Sequence, residues 1–255
     1  MNERQLKILS LLVAEPEMRV ARLSEALGVS PVTVRSDLDA LAREGRVERL
    51  HGGARLADGR TRQELTFAQR RALFADRKRR IAQAAAGLIA PGEAVLLDAS
   101  STAVALAAEI KGRMDLADLT VVTTGIWTAL ELLDSPGIHV VLAGGLLRDA
   151  TGSTTGQTAL ENLARFNISR AFLGAWGVTI EQGLMDSSLP EVELKRAVVE
   201  RAREVVAIVD GSKFGRLAVG SFAAVEQVRS LVTDPSAPGE MLAALRDRGV
   251  IVQVG

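Results

Sequence analysis

Ten residues near the N-terminus decide the fold of the first part of this chain: Val29-Ser30-Pro31-Val32-Thr33-Val34-Arg35-Ser36-Asp37-Leu38. Ser30 is a favourable N-cap and Pro31 suits the first helical position, so a helix is predicted to begin here. Val34, Leu38 and Leu41 recur at helical spacing and indicate one buried face. Thr33, Arg35 and Ser36, near the N-terminal end, point away from that face. For this segment alone, an ordinary amphipathic surface helix is the safer interpretation.

The flanking sequence supplies the rest of a winged helix-turn-helix. Residues 4–12 and 20–27 predict two further amphipathic helices, and Gly28 ends the second with a short turn. Gly45 ends the third helix. Residues 46–50 then alternate as a strand does, and the two glycines at 52 and 53 predict a hairpin tip, the wing. In such a domain the polar end of the third helix enters the major groove of DNA.

Residues 23–54 resemble the DNA-binding domain of DeoR-family transcriptional regulators. The residues that carry the resemblance are Gly28-Val29-Ser30, Thr33-Val34-Arg35, Asp37-Leu38, Leu41, Gly45, Arg49 and His51-Gly52-Gly53-Ala54. It implies a major-groove helix with Thr33 and Arg35 among its contacts, and Arg49 and His51 near the DNA backbone. The family often has a second arginine where this chain has Ser36. The candidate DNA-binding residues are Ser30, Thr33, Arg35, Ser36, Arg49, His51 and Gly52.

Charge is distributed unevenly along the chain. The formal net charge is zero, but residues 1–80 carry 17 Lys and Arg against 11 Asp and Glu, and residues 81–255 carry 14 against 20. A basic front and an acidic back indicate that only the front meets a polyanion. Chance and a solvated helix face account for so modest an excess equally well.

Composition excludes several classes of protein. The chain has no cysteine, so disulfides and thiolate metal sites are excluded and a reducing cytoplasm is favoured. The two histidines, His51 and His139, stand in no ligand cluster, so we expect no metal site and no cofactor. No apolar run approaches the roughly 18 residues of a membrane span. We therefore expect a cytoplasmic protein without a signal peptide or a membrane anchor.

The chain is expected to form two domains joined by a linker. We predict a winged helix-turn-helix domain at 1–57, a linker at 58–76 and an α/β effector-binding and oligomerisation domain at 77–255. Residues 57–80 are polar and end with the basic run Arg77-Lys78-Arg79-Arg80. This run begins a helix, and a solvated helix face is favoured over a contact with DNA.

Short apolar runs alternate with helical stretches in the second domain. The runs are 94–97, 120–123, 140–143, 171–173, 205–209 and 231–233. This alternation predicts a mainly parallel sheet covered on both faces. The fold class is therefore α/β, with an N-terminal winged helix-turn-helix. Ligands of such sheets bind beyond the carboxyl ends of the strands, so the chemistry is expected in the residues that follow each strand.

Hydroxyls, glycines and helix starts follow the first three of these runs. They are Asp98-Ala99-Ser100-Ser101-Thr102, Thr123-Thr124-Gly125, and Gly144-Gly145 with Arg148. Backbone N–H groups and a helix dipole favour a phosphate at such an edge. A Ser-Ser-Thr sequence before a helix is more often a simple N-cap. Three such loops in one chain favour the ligand site.

Later loops add charged groups and an aromatic ring. Lys213 follows a buried strand in Asp210-Gly211-Ser212-Lys213, which is suited to a phosphate or to sugar hydroxyls. Glu191 and Lys195 are one helical turn apart, and an exposed ion pair is the simpler interpretation of that spacing. Trp176 is either core filling or, as a hypothesis, a ring that stacks on a sugar at the mouth of the pocket.

The second domain as a whole resembles the DeoR-type effector domain, which is similar to ribose-5-phosphate and glucosamine-6-phosphate isomerases. The matching residues are Asp98, Ser101, Thr102, Thr123, Gly144, Gly145, Arg148, Gly156, Gly174, Glu191, Lys195, Asp210, Ser212 and Lys213. The resemblance implies a phosphorylated sugar as effector. The candidate effector-binding residues are Asp98, Ser100, Ser101, Thr102, Thr123, Thr124, Gly144, Gly145, Arg148, Trp176, Glu191, Lys195, Asp210 and Lys213.

The sequence thus predicts a transcriptional regulator without catalytic residues. Its expected partners are double-stranded operator DNA, a phosphorylated sugar and further copies of the chain, as a homodimer or homotetramer. We expect a repressor of sugar or carbohydrate metabolism genes, although an activator has the same sequence features. The alternative is a sugar-phosphate isomerase fused to a helix-turn-helix, with Asp98, Glu191 and Lys213 as acid/base groups.

Overall fold

The protein consists of two compact units, Met1–Phe74 and Ala75–Gly255. The computed structural model describes residues 2–15, 17–57 and 66–255. Residues 58–65 of the predicted linker, 58–76, lie outside the described residues. Its remaining residues contain one short helix and the start of the next. None of the helices in the described ranges is both long and apolar enough to span a membrane.

The first unit is the predicted winged helix-turn-helix. Its elements are α1 Glu3–Ala14, β1 Glu17–Arg19, α2 Val20–Leu27, α3 Pro31–Arg43, β2 Val47–Leu50, β3 Gly53–Leu56 and α4 Phe67–Ala72. Helix α3 begins where the sequence predicts, because Ser30 Oγ accepts the Thr33 backbone N–H at 3.2 Å. Gly28 takes the left-handed conformation, with φ at 64°, and turns the chain from α2 to α3.

Strand β1 was not predicted. It joins the wing in an antiparallel sheet of order β1-β3-β2, and at three residues it is too short for alternation to reveal it. Strand β1 can pack this close to β3 because residue 53 is glycine. A Cβ built at Gly53 would lie 2.5 Å from the Met18 carbonyl oxygen. Asp37 forms a salt bridge with Arg4, Nε to Oδ2 at 2.5 Å, and so ties α3 to α1.

The second unit contains six helices and the remaining strands. The helices are α5 Ala75–Ala86, α6 Ser101–Lys111, α7 Ile126–Glu131, α8 Gln157–Leu163, α9 Leu189–Arg201 and α10 Gly239–Asp247. The strands are β4 Ala94–Leu97, β5 Leu119–Thr123, β6 Ile138–Leu142, β7 Leu146–Arg148, β8 Ser153–Thr155, β9 Arg170–Leu173, β10 Gly177–Thr179, β11 Gly183–Asp186, β12 Glu204–Ile208, β13 Gly220–Ala223, β14 Ser230–Thr233 and β15 Ile251–Val254.

Seven strands form a parallel sheet of order β15-β14-β12-β9-β4-β5-β6. The fold class predicted from the sequence is therefore confirmed. From β4 the chain winds outward to β5 and β6, and it then returns to the other side of β4 as β9. This change of winding direction between β4 and β9 marks the position at which sheets of this kind bind ligands, in a crevice at the carboxyl ends of the two strands.

The six predicted strands correspond to β4, β5, β6, β9, β12 and β14. Prediction missed β15, an edge strand with mostly exposed side chains, although three of its four residues are aliphatic. It also missed the small antiparallel sheets, β7-β8 and β10-β11-β13. Most of these strands have only three or four residues, and they contain glycines and polar residues.

The basic run on α5 is only partly the solvated helix face that was expected. Lys78 is 5% exposed, and Arg77 Nε lies 3.8 Å from Asp234 Oδ2. Helical spacing places Lys78 on the same buried face as Ile81, Ala82 and Ala85. Burial of the Lys78 ammonium is tolerated because its charge acts on the buried carboxylate of Asp210.

Candidate functional site

The outer face of α3 is the first candidate site. Arg35 and Ser36 are exposed there, whereas Thr33 is half-buried. The Thr33 and Ser30 hydroxyls lie 2.9 Å apart and hydrogen-bond to each other. Ser30 thus caps the helix, and the Thr33 hydroxyl is bound within the cap. Two of the predicted DNA contacts, Arg35 and Ser36, are presented openly to solvent.

At the wing, His51 and Gly52 are exposed in the turn between β2 and β3. Arg49 is placed differently. Its Nε lies 3.0 Å from Asp39 Oδ1, on α3, and its Nη1 donates to the Gly53 carbonyl at 2.8 Å. Arg49 therefore fastens the wing to α3, and its predicted role near the DNA backbone stays a prediction.

Lys195 is the centre of the second candidate site, in the crevice between β4 and β9. Its Nζ donates to the Gly174 carbonyl at 2.9 Å and to Asp186 Oδ2 at 2.8 Å, and it lies 3.1 Å from Asp98 Oδ2. Three oxygens match the three N–H donors of an ammonium. Lys195 is 6% exposed. The lysine therefore joins the loop after β4, the loop after β9 and the end of β11.

The charges around Lys195 keep its ammonium protonated. Burial alone would lower the pKa of Lys195, but the carboxylates of Asp186, Asp98 and Glu191 outweigh burial and raise that pKa above its ordinary value. A raised lysine pKa means that the folded protein favours the charged form. The attraction is consequently present throughout the neutral range and is lost only in strong alkali.

Glu191 does not form the exposed ion pair with Lys195 that the spacing suggested. Both side chains are buried, and Glu191 is 4% exposed. Its Oε1 accepts from Arg148 Nη1 at 2.7 Å and from the Ser153 hydroxyl. Both partners lie on the β7-β8 hairpin, so Glu191 ties this hairpin to α9. Spacing along one helix carries no information about partners that other elements provide.

The start of α6 forms another wall of the crevice. Ser100 caps this helix by accepting the Ala103 backbone N–H at 3.1 Å, and Asp98 Oδ1 accepts the Ser100 N–H at 3.0 Å. A Cβ built at Gly174 would lie 2.6 Å from Ser100 Cβ. Only glycine fits beside the cap without displacing it. The hydroxyl residue Ser101 is half-buried, and Thr102 is buried.

The remaining predicted residues of these loops differ in exposure, since the threonines are buried, Gly144 is half-buried and Gly145 is exposed. Thr123 and Thr124 are buried. Thr123 Oγ1 accepts the Gly125 N–H at 3.0 Å, and the Thr124 carbonyl accepts the backbone N–H of Thr154 at 2.7 Å. Gly144 and Gly145 take positive φ angles of 75° and 113° in the turn before β7. That turn leads the chain to Arg148, which contacts Glu191.

Trp176 and Lys213 form a third part of the crevice. Both are half-buried, and Lys213 Nζ lies 5.4 Å from the centre of the Trp176 ring. Asp210 is buried at the start of the loop that carries Lys213. Burial raises the pKa of Asp210. The positive charges of Lys213 and Lys78 and the hydrogen bond from Ser212 lower it by more than burial raises it, so the net shift of the pKa is downward. Asp210 is thus held as a carboxylate.

Sequence reasoning missed two members of this network, Asp186 and Ser153. Asp186 follows the apolar residues of β11, a signal of the kind used for Asp98. Ser153 lies in a three-residue strand and has no comparable signal. Within the described parts of the chain, no group of His, Cys, Asp or Glu side chains is arranged to hold a metal ion.

The fold and the two sites define a class of protein. A winged helix-turn-helix presents an arginine on an exposed recognition helix, and a separate α/β unit forms a polar crevice at the carboxyl edge of a parallel sheet. This is the organisation of a transcriptional regulator with a DNA-binding domain and a sensor domain.

The comparisons with known proteins give the family. Residues 4–60 match the model of the DeoR-like helix-turn-helix domain, and residues 74–235 match that of the DeoR C-terminal sensor domain. The chain belongs to the DeoR family of transcriptional regulators. The resemblance noted in the sequence is thereby confirmed over nearly the whole chain.

Three relatives illustrate the range of the family. The HTH-type transcriptional regulator GolR of Listeria innocua is 36% identical over 99% of this chain and 98% of its own. The putative aga operon transcriptional repressor of Escherichia coli O157:H7 is 31% identical over 100% and 94%. The glycerol-3-phosphate regulon repressor of Escherichia coli K12 is 29% identical over 99% and 98%.

Among solved structures, ribose 5-phosphate isomerase A from Methanocaldococcus jannaschii superposes with a TM-score of 0.42. It is 22% identical, and the match covers 55% of this chain and 54% of the isomerase.

Proposed function

We propose that this protein is a transcriptional repressor of sugar or carbohydrate metabolism genes whose operator binding responds to a phosphorylated sugar. It binds double-stranded operator DNA as a homodimer or homotetramer. The observation that carries the proposal is the convergence of Asp98, Asp186, Glu191, Arg148 and Lys195 on the crevice between β4 and β9. Two relatives are named as repressors, of the aga operon and of the glycerol-3-phosphate regulon. These names support a repressor rather than an activator, and target genes of sugar or carbohydrate metabolism.

The charges in the crevice favour different ligand groups at different places. The inner network holds three carboxylates, Asp98, Asp186 and Glu191, against two cations. Because phosphate is repelled by excess negative charge, the inner wall is suited to sugar hydroxyls, which donate hydrogen bonds to carboxylate oxygens.

The phosphate belongs at the outer wall in this proposal. The first turn of α6 directs backbone N–H groups and a positive dipole end outward beside the Ser100 and Ser101 hydroxyls. Lys213 supplies an ammonium from the loop after β12. The predicted effector residues thus fall into a phosphate group and a hydroxyl group. Lys195 positions both loops and does not contact the ligand, because its three N–H donors already face oxygens.

A thermal-shift screen of the full chain tests the proposal. The probes are glucose 6-phosphate, galactose 6-phosphate, N-acetylglucosamine 6-phosphate and glycerol 3-phosphate, with the unphosphorylated compounds and inorganic phosphate as controls. We expect at least one phosphorylated probe to raise Tm, because a ligand stabilises the state that it binds, and to change the affinity for DNA by favouring one arrangement of the protein over the other. A panel without any such compound would contradict the proposal, and turnover of a probe would favour the isomerase alternative.

Replacing Arg35 by alanine tests the DNA-contacting face of α3. If Arg35 binds a base edge, we expect a loss of about 1–3 kcal/mol of binding free energy at that base pair. If it binds a phosphate, the loss is uniform across sequences and the slope of log K against log salt falls by about one. Fluorescence anisotropy at several salt concentrations measures both quantities. Arg165→Ala, which removes an exposed arginine of the other unit, is the matched control; equal behaviour of the two variants would exclude Arg35 from the interface.

The ring of Trp176 is expected to stack on the sugar. We expect Trp176→Ala to weaken the effector by about 10-fold or more, whereas Trp176→Phe, which keeps an aromatic face, retains most of the affinity. Isothermal titration with the effector found in the screen measures both variants. Unchanged affinity of Trp176→Ala would leave the tryptophan with a packing role only.

A further inference from the structure

Val32 is an exposed hydrophobic side chain on the recognition helix. It is the second residue of α3 and is 71% exposed. Among the described residues of the first unit, no other large hydrophobic side chain is exposed. The core does not use Val32, because the buried face of α3 consists of Val34, Asp37, Leu38 and Leu41. Packing therefore does not explain an aliphatic residue at this position.

Val32 lies on the proposed DNA-contacting face of α3. Residues three and four apart on a helix lie on the same side, so Val32 shares a face with Arg35 and Ser36, which are both exposed. This is the N-terminal end of the recognition helix, the part that meets base edges in the major groove. The neighbouring hydroxyls of Ser30 and Thr33 bind each other in the helix cap. The exposed face around Val32 thus offers an aliphatic side chain beside the Arg35 guanidinium and the Ser36 hydroxyl.

The chemistry of the major groove limits what an aliphatic side chain can bind there. Base edges offer hydrogen-bond donors and acceptors, and the C5-methyl of thymine is the apolar group among the four natural bases. A valine side chain in a helix has one strongly preferred rotamer, so its methyl groups are held in place at little entropic cost. The basic first 80 residues favour DNA over a protein partner as the occupant of this face.

We infer that Val32 is a specificity-determining residue that reads a thymine through contact of its methyl groups with the C5-methyl of the base. The inference rests on DNA binding by the helix-turn-helix unit and is independent of the effector. Discrimination is modest in size, since burial of one methyl group corresponds to about a fourfold change in affinity. It adds to whatever Arg35 and Ser36 recognise through hydrogen bonds.

The experiment removes the contact from either side, by deleting both γ-methyl groups of Val32 or the C5-methyl group of one thymine. The full chain first enriches a preferred duplex from a random-sequence library, and each thymine of one half-site is then replaced singly by deoxyuridine, which lacks only the C5-methyl. We expect one replacement to weaken the parent about fourfold. Val32→Ala should bind the thymine duplex about fourfold more weakly and show no further loss with deoxyuridine at that position, so that the two changes are fully coupled.

Val219→Ala is the matched control, because it removes the same two methyl groups from a valine of the α/β unit that is 60% exposed. It should retain the parent's sensitivity to deoxyuridine. The inference is overturned if Val32→Ala remains as sensitive as the parent, if no deoxyuridine replacement affects the parent, or if Val32→Ala weakens selected and unselected duplexes equally. Failure of the enrichment would overturn the DNA-binding assignment itself, together with the role of Val32.

Discussion

Replacing Lys195 by methionine is expected to lower the free energy of unfolding of the α/β unit by about 3–5 kcal/mol. Methionine keeps much of the length of the side chain but removes the cation that lies 2.8 Å from Asp186 and 3.1 Å from Asp98. The buried carboxylate of Asp98 and the half-buried carboxylate of Asp186 then lose their common counter-charge. Urea denaturation followed by tryptophan fluorescence measures the effect specifically, because Trp127 and Trp176 both lie in this unit.

Two further variants separate charge from packing at Lys195. Lys111→Met, at the exposed end of α6, should change stability by no more than about 0.5 kcal/mol. Adding Asp186→Asn to Lys195→Met should recover part of the loss, since one uncompensated charge disappears. Because the raised pKa of Lys195 keeps it charged below the ordinary lysine pKa, the difference from the parent should be constant between about pH 6 and 9. A loss below about 1 kcal/mol, or a further loss with Asp186→Asn, would contradict this account.

Replacing Gly174 by alanine is expected to abolish the response to the effector and to cost about 1–3 kcal/mol of stability. The added Cβ would lie 2.6 Å from Ser100 Cβ and 2.7 Å from its Oγ. Residue 174 cannot move aside easily, because its N–H donates to Asp98 Oδ2 at 2.9 Å and its carbonyl accepts from Lys195 Nζ at 2.9 Å. Ser100 must therefore shift, and the start of α6 shifts with it.

Thermal shift with the active sugar phosphate and anisotropy with operator DNA check this prediction together. The effector-dependent rise in Tm should disappear, while DNA binding without effector should stay within about threefold of the parent. Gly112→Ala is the control, since its φ is −89° and a Cβ there meets no atom within 4 Å. An effector response like that of the parent in Gly174→Ala would exclude the proposed phosphate position at the start of α6.

Local features of the structure were predictable because they depend on neighbours in the sequence. Ser30 and Pro31 determine the start of α3 through a cap and a fixed φ angle. Gly28 supplies the left-handed residue that the turn requires. The apolar runs of β4 and β9 identify buried parallel strands, since strands covered on both faces have no polar alternation. These signals were sufficient for the fold class and for the edge of the sheet at which the polar residues gather.

Partners of charged side chains were not predictable in this way. Glu191 and Lys195 are one turn apart, yet Glu191 binds Arg148 on the β7-β8 hairpin, and Lys195 binds Asp98 and Asp186 from two other elements. The ion-pair partner of a buried charged side chain depends on which opposite charges the packing brings within about 4 Å of it. Strand order decides this, and strand order is a property of the whole sheet.

The sequence was sufficient to predict a winged helix-turn-helix followed by an α/β domain, because capping, turn formation and hydrophobic periodicity act over a few residues. The chain's return to β9 beside β4 is a long-range choice, and it creates the crevice in which Lys195 joins three segments of the chain. Exposure is likewise a tertiary property. In the sequence, Val32 is not distinguishable from the other aliphatic residues of the helix. It is a candidate for thymine recognition only because folding leaves it exposed to solvent beside Arg35.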